Sequence, residues 1–131
     1  MMKNLLKSIC ILSLFGVVIN AEAKEVTLNL KVQSRYPMVA YYRFSHGDLV
    51  YGQGKVVMKP GDGIQHVAVN EIGDDNNVLV QVYKMTVAPW TEINDPCEIN
   101  LSPTELTANI GIGFIGDPEG RGSFNCQVAA S

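Results

Sequence analysis

Residues 25–33 read Glu25-Val26-Thr27-Leu28-Asn29-Leu30-Lys31-Val32-Gln33. Apolar and polar residues alternate without a break after Glu25. Successive side chains of an extended chain point to opposite faces, so Val26, Leu28, Leu30 and Val32 share one face. Thr27, Asn29, Lys31 and Gln33 share the other. This period of two predicts a strand with one face on a core and one in water.

The same period extends along the chain. Arg35-Tyr36-Pro37 breaks the first strand, and residues 38–45 form a second, with Met38, Ala40, Tyr42 and Phe44 inward and Val39, Tyr41 and Arg43 outward. His46-Gly47-Asp48 is a turn. Residues 49–58 form a third strand, interrupted by Gly52-Gln53-Gly54, where glycines suggest a bulge or a bend between sheets. Lys59-Pro60-Gly61-Asp62-Gly63 carries strong turn chemistry. Residues 64–70 give a fourth strand, followed by the polar turn Gly73-Asp74-Asp75-Asn76-Asn77. Residues 78–87 are apolar on both faces in their first half, as in a central, covered strand. Residues 88–96 read as irregular and hold the only tryptophan, Trp90.

Beyond that segment, Cys97, Ile99 and Leu101 share one parity. Ser102-Pro103-Thr104-Glu105 has the form of a helix capping box with proline at the first helical position. Against it, Leu106, Ala108, Ile110, Ile112 and Phe114 alternate with Glu105, Thr107, Asn109, Gly111 and Gly113. The longer pattern predicts a strand, with room for a single turn before it. Gly116-Asp117-Pro118-Glu119-Gly120 turns the chain, and residues 121–129 make a last strand burying Phe124, Cys126 and Val128. About seven short strands with turns between them predict an all-β, two-sheet antiparallel sandwich, with a small β-barrel as the alternative. The immunoglobulin pattern is not met, because Trp90 precedes both Cys97 and Cys126.

The N-terminus has a different character. Lys3 and Lys7 precede an apolar run at residues 9–19, and Ala21-Glu22-Ala23 follows with small residues at both specificity positions of a signal-peptidase site. The run is too short for a membrane span, which needs roughly 20 apolar residues. Residues 1–23 are therefore expected to be a signal peptide cleaved after Ala23, and residues 24–131 a single secreted or periplasmic domain. Removing 23 of the 131 residues leaves 108, which suits one domain. Cys10 goes with the leader, and Cys97 and Cys126 remain to form a disulfide in an oxidising compartment. Closing a loop of about 30 residues should stabilise the fold by roughly 3–4 kcal/mol. Because both cysteines fall on apolar parity, the bridge is expected inside the domain rather than on its rim, and a reactive thiol is not expected.

Composition excludes some partners. The chain after Ala23 holds eight basic and twelve acidic residues, a net charge near −4 with the basic residues scattered singly. That balance speaks against nucleic acid, which wants a basic stripe, and against an anionic membrane surface. No stable membrane insertion is expected. His46 and His66 are the only histidines and lie twenty residues apart, so their spacing nominates no metal site. Asp74 to Asn77 crowd oxygen donors into one loop but lack the spacing of a calcium loop. No G-x-S-x-G nucleophile motif is present, and Gly111-Ile112-Gly113 lacks the third glycine and βαβ frame of a nucleotide site. No cofactor is expected.

Two features stand above this background. Gly111 and Gly113 leave one face of their strand bare, open to an aromatic ring, a partner strand or a flat ligand; the ordinary outcome is that a cross-strand aromatic of the same domain covers them. Tyr36, Tyr41, Tyr51 and Trp90 form the second feature, with Tyr41 outward beside Arg43 and with Tyr36 and Trp90 next to prolines. Exposed Tyr and Trp make low-entropy contacts with proteins or sugars, although Trp90 could instead fold back as a lid on the core. The expected function is a non-enzymatic binding module for a protein or glycan, with Trp90, Tyr36, Tyr41, Arg43, Gly111 and Gly113 as candidate contacts. The alternatives are a small secreted hydrolase using His46 or His66 with an acidic residue, and a structural subunit that assembles through its sheet edges.

Overall fold

The alternation at residues 25–33 becomes β1 (Ala23–Gln33), a central strand whose Val26, Leu28 and Leu30 are wholly buried. The structure, a computed structural model, describes residues 23–87, 91–93, 96–116 and 122–131. After β1 come β2 (Met38–His46), β3 (Leu49–Met58), β4 (Gln65–Gly73), β5 (Val78–Val87), β6 (Thr91–Ile93), β7 (Cys97–Leu101), β8 (Thr107–Gly116) and β9 (Gly122–Ala130). One sheet has the order β9-β8-β1-β4. The other has the order β3-β2-β5, with β6 and β7 both on the far side of β5. Pairing is antiparallel throughout, except that β1 and β8 run parallel.

The two sheets enclose one core. Phe44, Met38, Val80, Val82 and Met85 from one sheet meet Leu28, Leu30, Ile110 and Ile72 from the other. Burying each such side chain contributes about 1.5–3 kcal/mol relative to exposure. The sheets do not close into a barrel, so the sandwich is the architecture. Among the described residues there is no helix long and apolar enough to cross a membrane.

Several expectations are refined. The described residues form nine strands where about seven were expected, in part because Thr91–Ile93 pairs with β5 inside the segment read as irregular. Three residues are too few to show a period, so propensity alone could not find them. The fourth strand runs on to Gly73 through a bulge, where Lys24 faces Ile72 but Val26 faces Val69. Glu71 there takes φ = 63°, a left-handed conformation that costs a side-chain-bearing residue about 1–2 kcal/mol. The extra residue turns Ile72 into the core and leaves Glu71 exposed.

The glycines of β3 do not interrupt it. Phe44 faces Gly52 and Ser45 faces Val50, so Tyr51 is the bulged residue. A Cβ on Gly54 would lie 2.7 Å from Tyr42 Oη, and one on Gly52 would lie 3.1 Å from Val69 of the opposite sheet. These two glycines exist for close packing. The capping-box residues close a turn without a helix. Ser102 N–H donates to Glu105 Oε1 at 2.8 Å, and Glu105 N–H donates to the Ser102 carbonyl at 3.0 Å.

The disulfide joins Cys97, the first residue of β7, to Cys126 of β9, with Cα atoms 5.9 Å apart. It lies on the rim and not inside the domain. Cys97 is buried, but Cys126 is exposed and Val128 is 42 % exposed. Their parity was read correctly; their burial was not, because β9 is an edge strand and the strand opposite it, β7, has five residues. The bridge clamps the edge of one sheet to the edge of the other.

Candidate functional site

The outer face of the β9-β8-β1-β4 sheet follows from parity and register. With Ile110, Ile112 and Phe114 turned inward, β8 presents Asn109, Gly111 and Gly113 outward. On one side, β1 sets Asn29 against Asn109, Lys31 against Gly111 and Gln33 against Gly113. On the other, β9 sets Gln127 against Gly111 and Asn125 against Gly113. The result is a trough with a glycine floor and amide walls. It holds three depressions, of about 390, 200 and 410 Å³, that share Lys31, Gly111 and Gln127 at one junction and Gln33, Gly113 and Asn125 at the other.

Among the described residues no aromatic covers the glycines, contrary to the ordinary outcome. A Cβ added to Gly111 would approach only the Gln127 carbonyl oxygen, at 4.0 Å, and one at Gly113 would meet the Asn125 amide at 3.3 Å. The aromatic of β9, Phe124, has inward parity and packs on the core. Beside the trough, a hydrogen-bond chain crosses three strands. His66 Nδ1 donates to Asn29 Oδ1 at 2.5 Å, and Asn29 Nδ2 donates to Asn109 Oδ1 at 3.0 Å. The side chains of Lys31, Gln33, Asn125 and Gln127 have no hydrogen-bond partner among the described residues. Among the described residues, the charged side chains lining the depressions are Lys31 and, at one end, Arg35.

The remaining expected contacts lie elsewhere. Tyr41 and Arg43 are outward on β2, on the opposite side of the sandwich from Gly111 and Gly113. There the Tyr41 and Tyr83 ring centroids are 6.4 Å apart, and the Arg43 guanidinium lies 4.5 Å over the Tyr83 ring. Lys84 Nζ lies 5.5 Å over the Tyr41 ring. Tyr36, in the β1–β2 connection, is half-buried and packs against the core. Tyr51 is half-buried too, and its hydroxyl accepts from Asn76 Nδ2 at 2.7 Å. Trp90 lies outside the described residues. The six residues therefore do not form one surface; among the described ones, the glycine pair heads a concave site.

The two histidines are separated as well. His46 Nδ1 donates to the Asn77 carbonyl at 2.9 Å, and His66 is held by Asn29. Neither ring nitrogen meets a carboxylate. In the Asp74–Asn77 turn, Lys24 Nζ donates to the Asp74 and Asn76 carbonyls at 3.3 and 3.1 Å, and to Pro103 at 2.8 Å. An ammonium thus serves the loop oxygens that a cation would otherwise attract. Among the described residues no cluster of three His, Cys, Asp or Glu side chains is placed to hold a metal ion.

Sequence reading singled out the floor but missed the walls. Asn29, Lys31, Gln33, Asn109, Asn125 and Gln127 read as solvated polar positions. Only the register, with β1 parallel to β8, brings them around the glycines. Compared with protein-family models and with curated proteins, the chain matches none.

Proposed function

We propose that the protein is an exported, non-enzymatic binding module that holds a glycan chain in the trough over Gly111 and Gly113. The observation that carries this reading is a bare glycine floor bordered by side-chain amides with no partner in the sheet. Each amide both donates and accepts, which matches the hydroxyl pairs of a sugar ring. A ring can lie against the backbone where no Cβ intervenes. The two end depressions, of about 390 and 410 Å³, are in the usual range for a ligand site, and the central one, of about 200 Å³, joins them over Gly111 and Gly113. A glycine inside a strand costs roughly 0.5–1 kcal/mol relative to alanine, and no packing contact at Gly111 offsets that loss.

Export is supported by the charged start, the apolar run at residues 9–19 and the Ala21-Glu22-Ala23 site. The disulfide is compatible with that location. A binder is favoured over a hydrolase because both histidines are engaged by carbonyl oxygens and not by acids.

The test is a glycan array probed with the chain from Lys24 onward, followed by titration of the best ligand. Gly111→Val, which fills the floor where a Cβ meets nothing within 4.0 Å but the Gln127 carbonyl oxygen, should weaken binding by about tenfold or more, equivalent to roughly 1.4 kcal/mol, with no loss in thermal midpoint. A ligand that binds Gly111→Val as well as the parent protein, or the absence of any glycan ligand, overturns the reading.

A further inference from the structure

We infer that the trough selects an acidic glycan, a chain of uronic acid units, with sugar carboxylates placed against Lys31 and Arg35. The inference rests on the glycan reading above and adds the chemistry of the ligand.

Charge is the first argument. The chain after Ala23 has twelve acidic and eight basic residues, yet no Asp or Glu lines the three depressions among the described residues, while Lys31 and Arg35 do. Two cations along the trough, with no acid among its described lining residues, raise the local concentration of anions against the field of the whole molecule. Lys31 stands at the middle, beside Gly111, and Arg35 stands beyond Gln33 at the end. Two cations along one groove favour a ligand that repeats its negative charge over one that carries a single terminal acid.

Hydrogen-bond polarity is the second. An amide oxygen can only accept, so His66 must donate to Asn29 Oδ1. That fixes the Asn29 amide, whose nitrogen donates to Asn109 Oδ1. The Asn109 oxygen is thereby used inside the chain, and its Nδ2 has no partner among the described residues. At the wall of the trough the protein offers N–H groups: Asn109 Nδ2, the Lys31 ammonium and the Arg35 guanidinium. Beside the amides of Gln33, Asn125 and Gln127, which can also accept, these donors, two of them cationic, suit a ligand that carries acceptor oxygens as well as hydroxyls. A carboxylate has two acceptor oxygens and no hydrogen to spare, and such charge-assisted bonds are about twice as strong as neutral ones.

The experiment is calorimetric titration of the chain from Lys24 onward with oligogalacturonate, with the same oligomer after carboxyl reduction, and with oligoglutamate. The expected result is that the acidic sugar binds at least about tenfold more tightly than its reduced form, and that Lys31→Gln removes most of that preference. Equal binding of the two sugars, both weakened by Gly111→Val, overturns the acidic selectivity and leaves the glycan reading standing. Retention of the full preference in Lys31→Gln overturns the placement of the carboxylate. Oligoglutamate that binds as tightly as oligogalacturonate overturns the sugar itself in favour of a generic polyanion. If neither sugar binds and the array also yields no glycan, both the inference and the reading beneath it fail.

Discussion

The two outer faces of the sandwich come from the same alternation of side chains, yet they end in opposite states. On the β2–β5 face the outward groups have found one another. Tyr41 meets Tyr83, Arg43 lies over the Tyr83 ring, and Gln81 Nε2 donates to Glu98 Oε1 at 2.9 Å. On the β1–β8–β9 face, Lys31, Gln33, Asn125 and Gln127 stand around two glycines without partners in the sheet. The side chains with the more conspicuous chemistry, rings and a guanidinium, are engaged in covering their own sheet. The plain amides are the ones left available. Chemical character alone is thus a poor guide to a binding surface, and what decides is whether a neighbouring strand already satisfies the group.

The largest expected effect concerns the clamp between the sheets. Replacing Cys97 and Cys126 together by alanine should lower stability by roughly 3–4 kcal/mol, a large part of the roughly 5–15 kcal/mol a domain of this kind possesses. The loss should not fall equally. β9 is an edge strand that carries one wall of the trough and is tied to β7 by the bridge, whereas β2 and β5 are interior. Hydrogen exchange should show amides of β9 losing protection before those of β2 and β5. Equal loss in all three strands would mean that the faces do not differ in how they are held.

Next in size is a contrast between glycines of the two sheets. In β3, a side chain at Gly54 would strike Tyr42 at 2.7 Å, so Gly54→Val should destabilise by about 1–3 kcal/mol. In β8, a Cβ at Gly111 would meet nothing closer than the Gln127 carbonyl oxygen at 4.0 Å, so Gly111→Val should be neutral or stabilising by up to about 1 kcal/mol. Urea midpoints of the two variants check this. A midpoint for Gly111→Val that falls as far as that for Gly54→Val would show that the bare floor is a packing feature.

How much of this was legible follows from what a period can carry. Alternation at Val26, Leu28 and Leu30 and at Ala108, Ile110 and Ile112 is a local property, so the strands, their inward faces and the sandwich could be read from the chain. The same parity placed Cys126 and Val128 inward, but parity says nothing of what lies opposite. The five-residue β7 leaves them exposed. Glu71 shows a second limit, because the fourth strand was read as ending at residue 70, whereas a left-handed residue adds one position and carries Ile72 into the core. For the site, the bare face at Gly111 and Gly113 was visible as missing side chains. The walls were not, since they depend on β1 pairing with β8 across an interval of about eighty residues, and a parallel register has no local signature.

The smallest expected effect concerns Arg43, which was a candidate contact by its chemistry. Its Nε lies buried without a hydrogen-bond partner, and such an orphaned donor costs about 1–3 kcal/mol. Against that stands the attraction of its guanidinium for the Tyr83 ring, worth about 0.5–2 kcal/mol. Arg43→Met keeps an unbranched side chain over the ring, retains a sulfur–aromatic contact of about 0.3–1.5 kcal/mol, and removes the orphaned donor. On central values the relief of the orphaned donor outweighs the lost ring attraction, so the variant should be as stable as the parent protein or more stable, by up to about 2 kcal/mol in urea. It should also leave glycan affinity unchanged, because Arg43 is on the face opposite the trough. A loss of stability above about 2 kcal/mol would show that the ring contact outweighs the buried N–H. A loss of affinity at unchanged stability would be more serious, because it would move recognition from the face with unpartnered amides to the face whose groups are already paired.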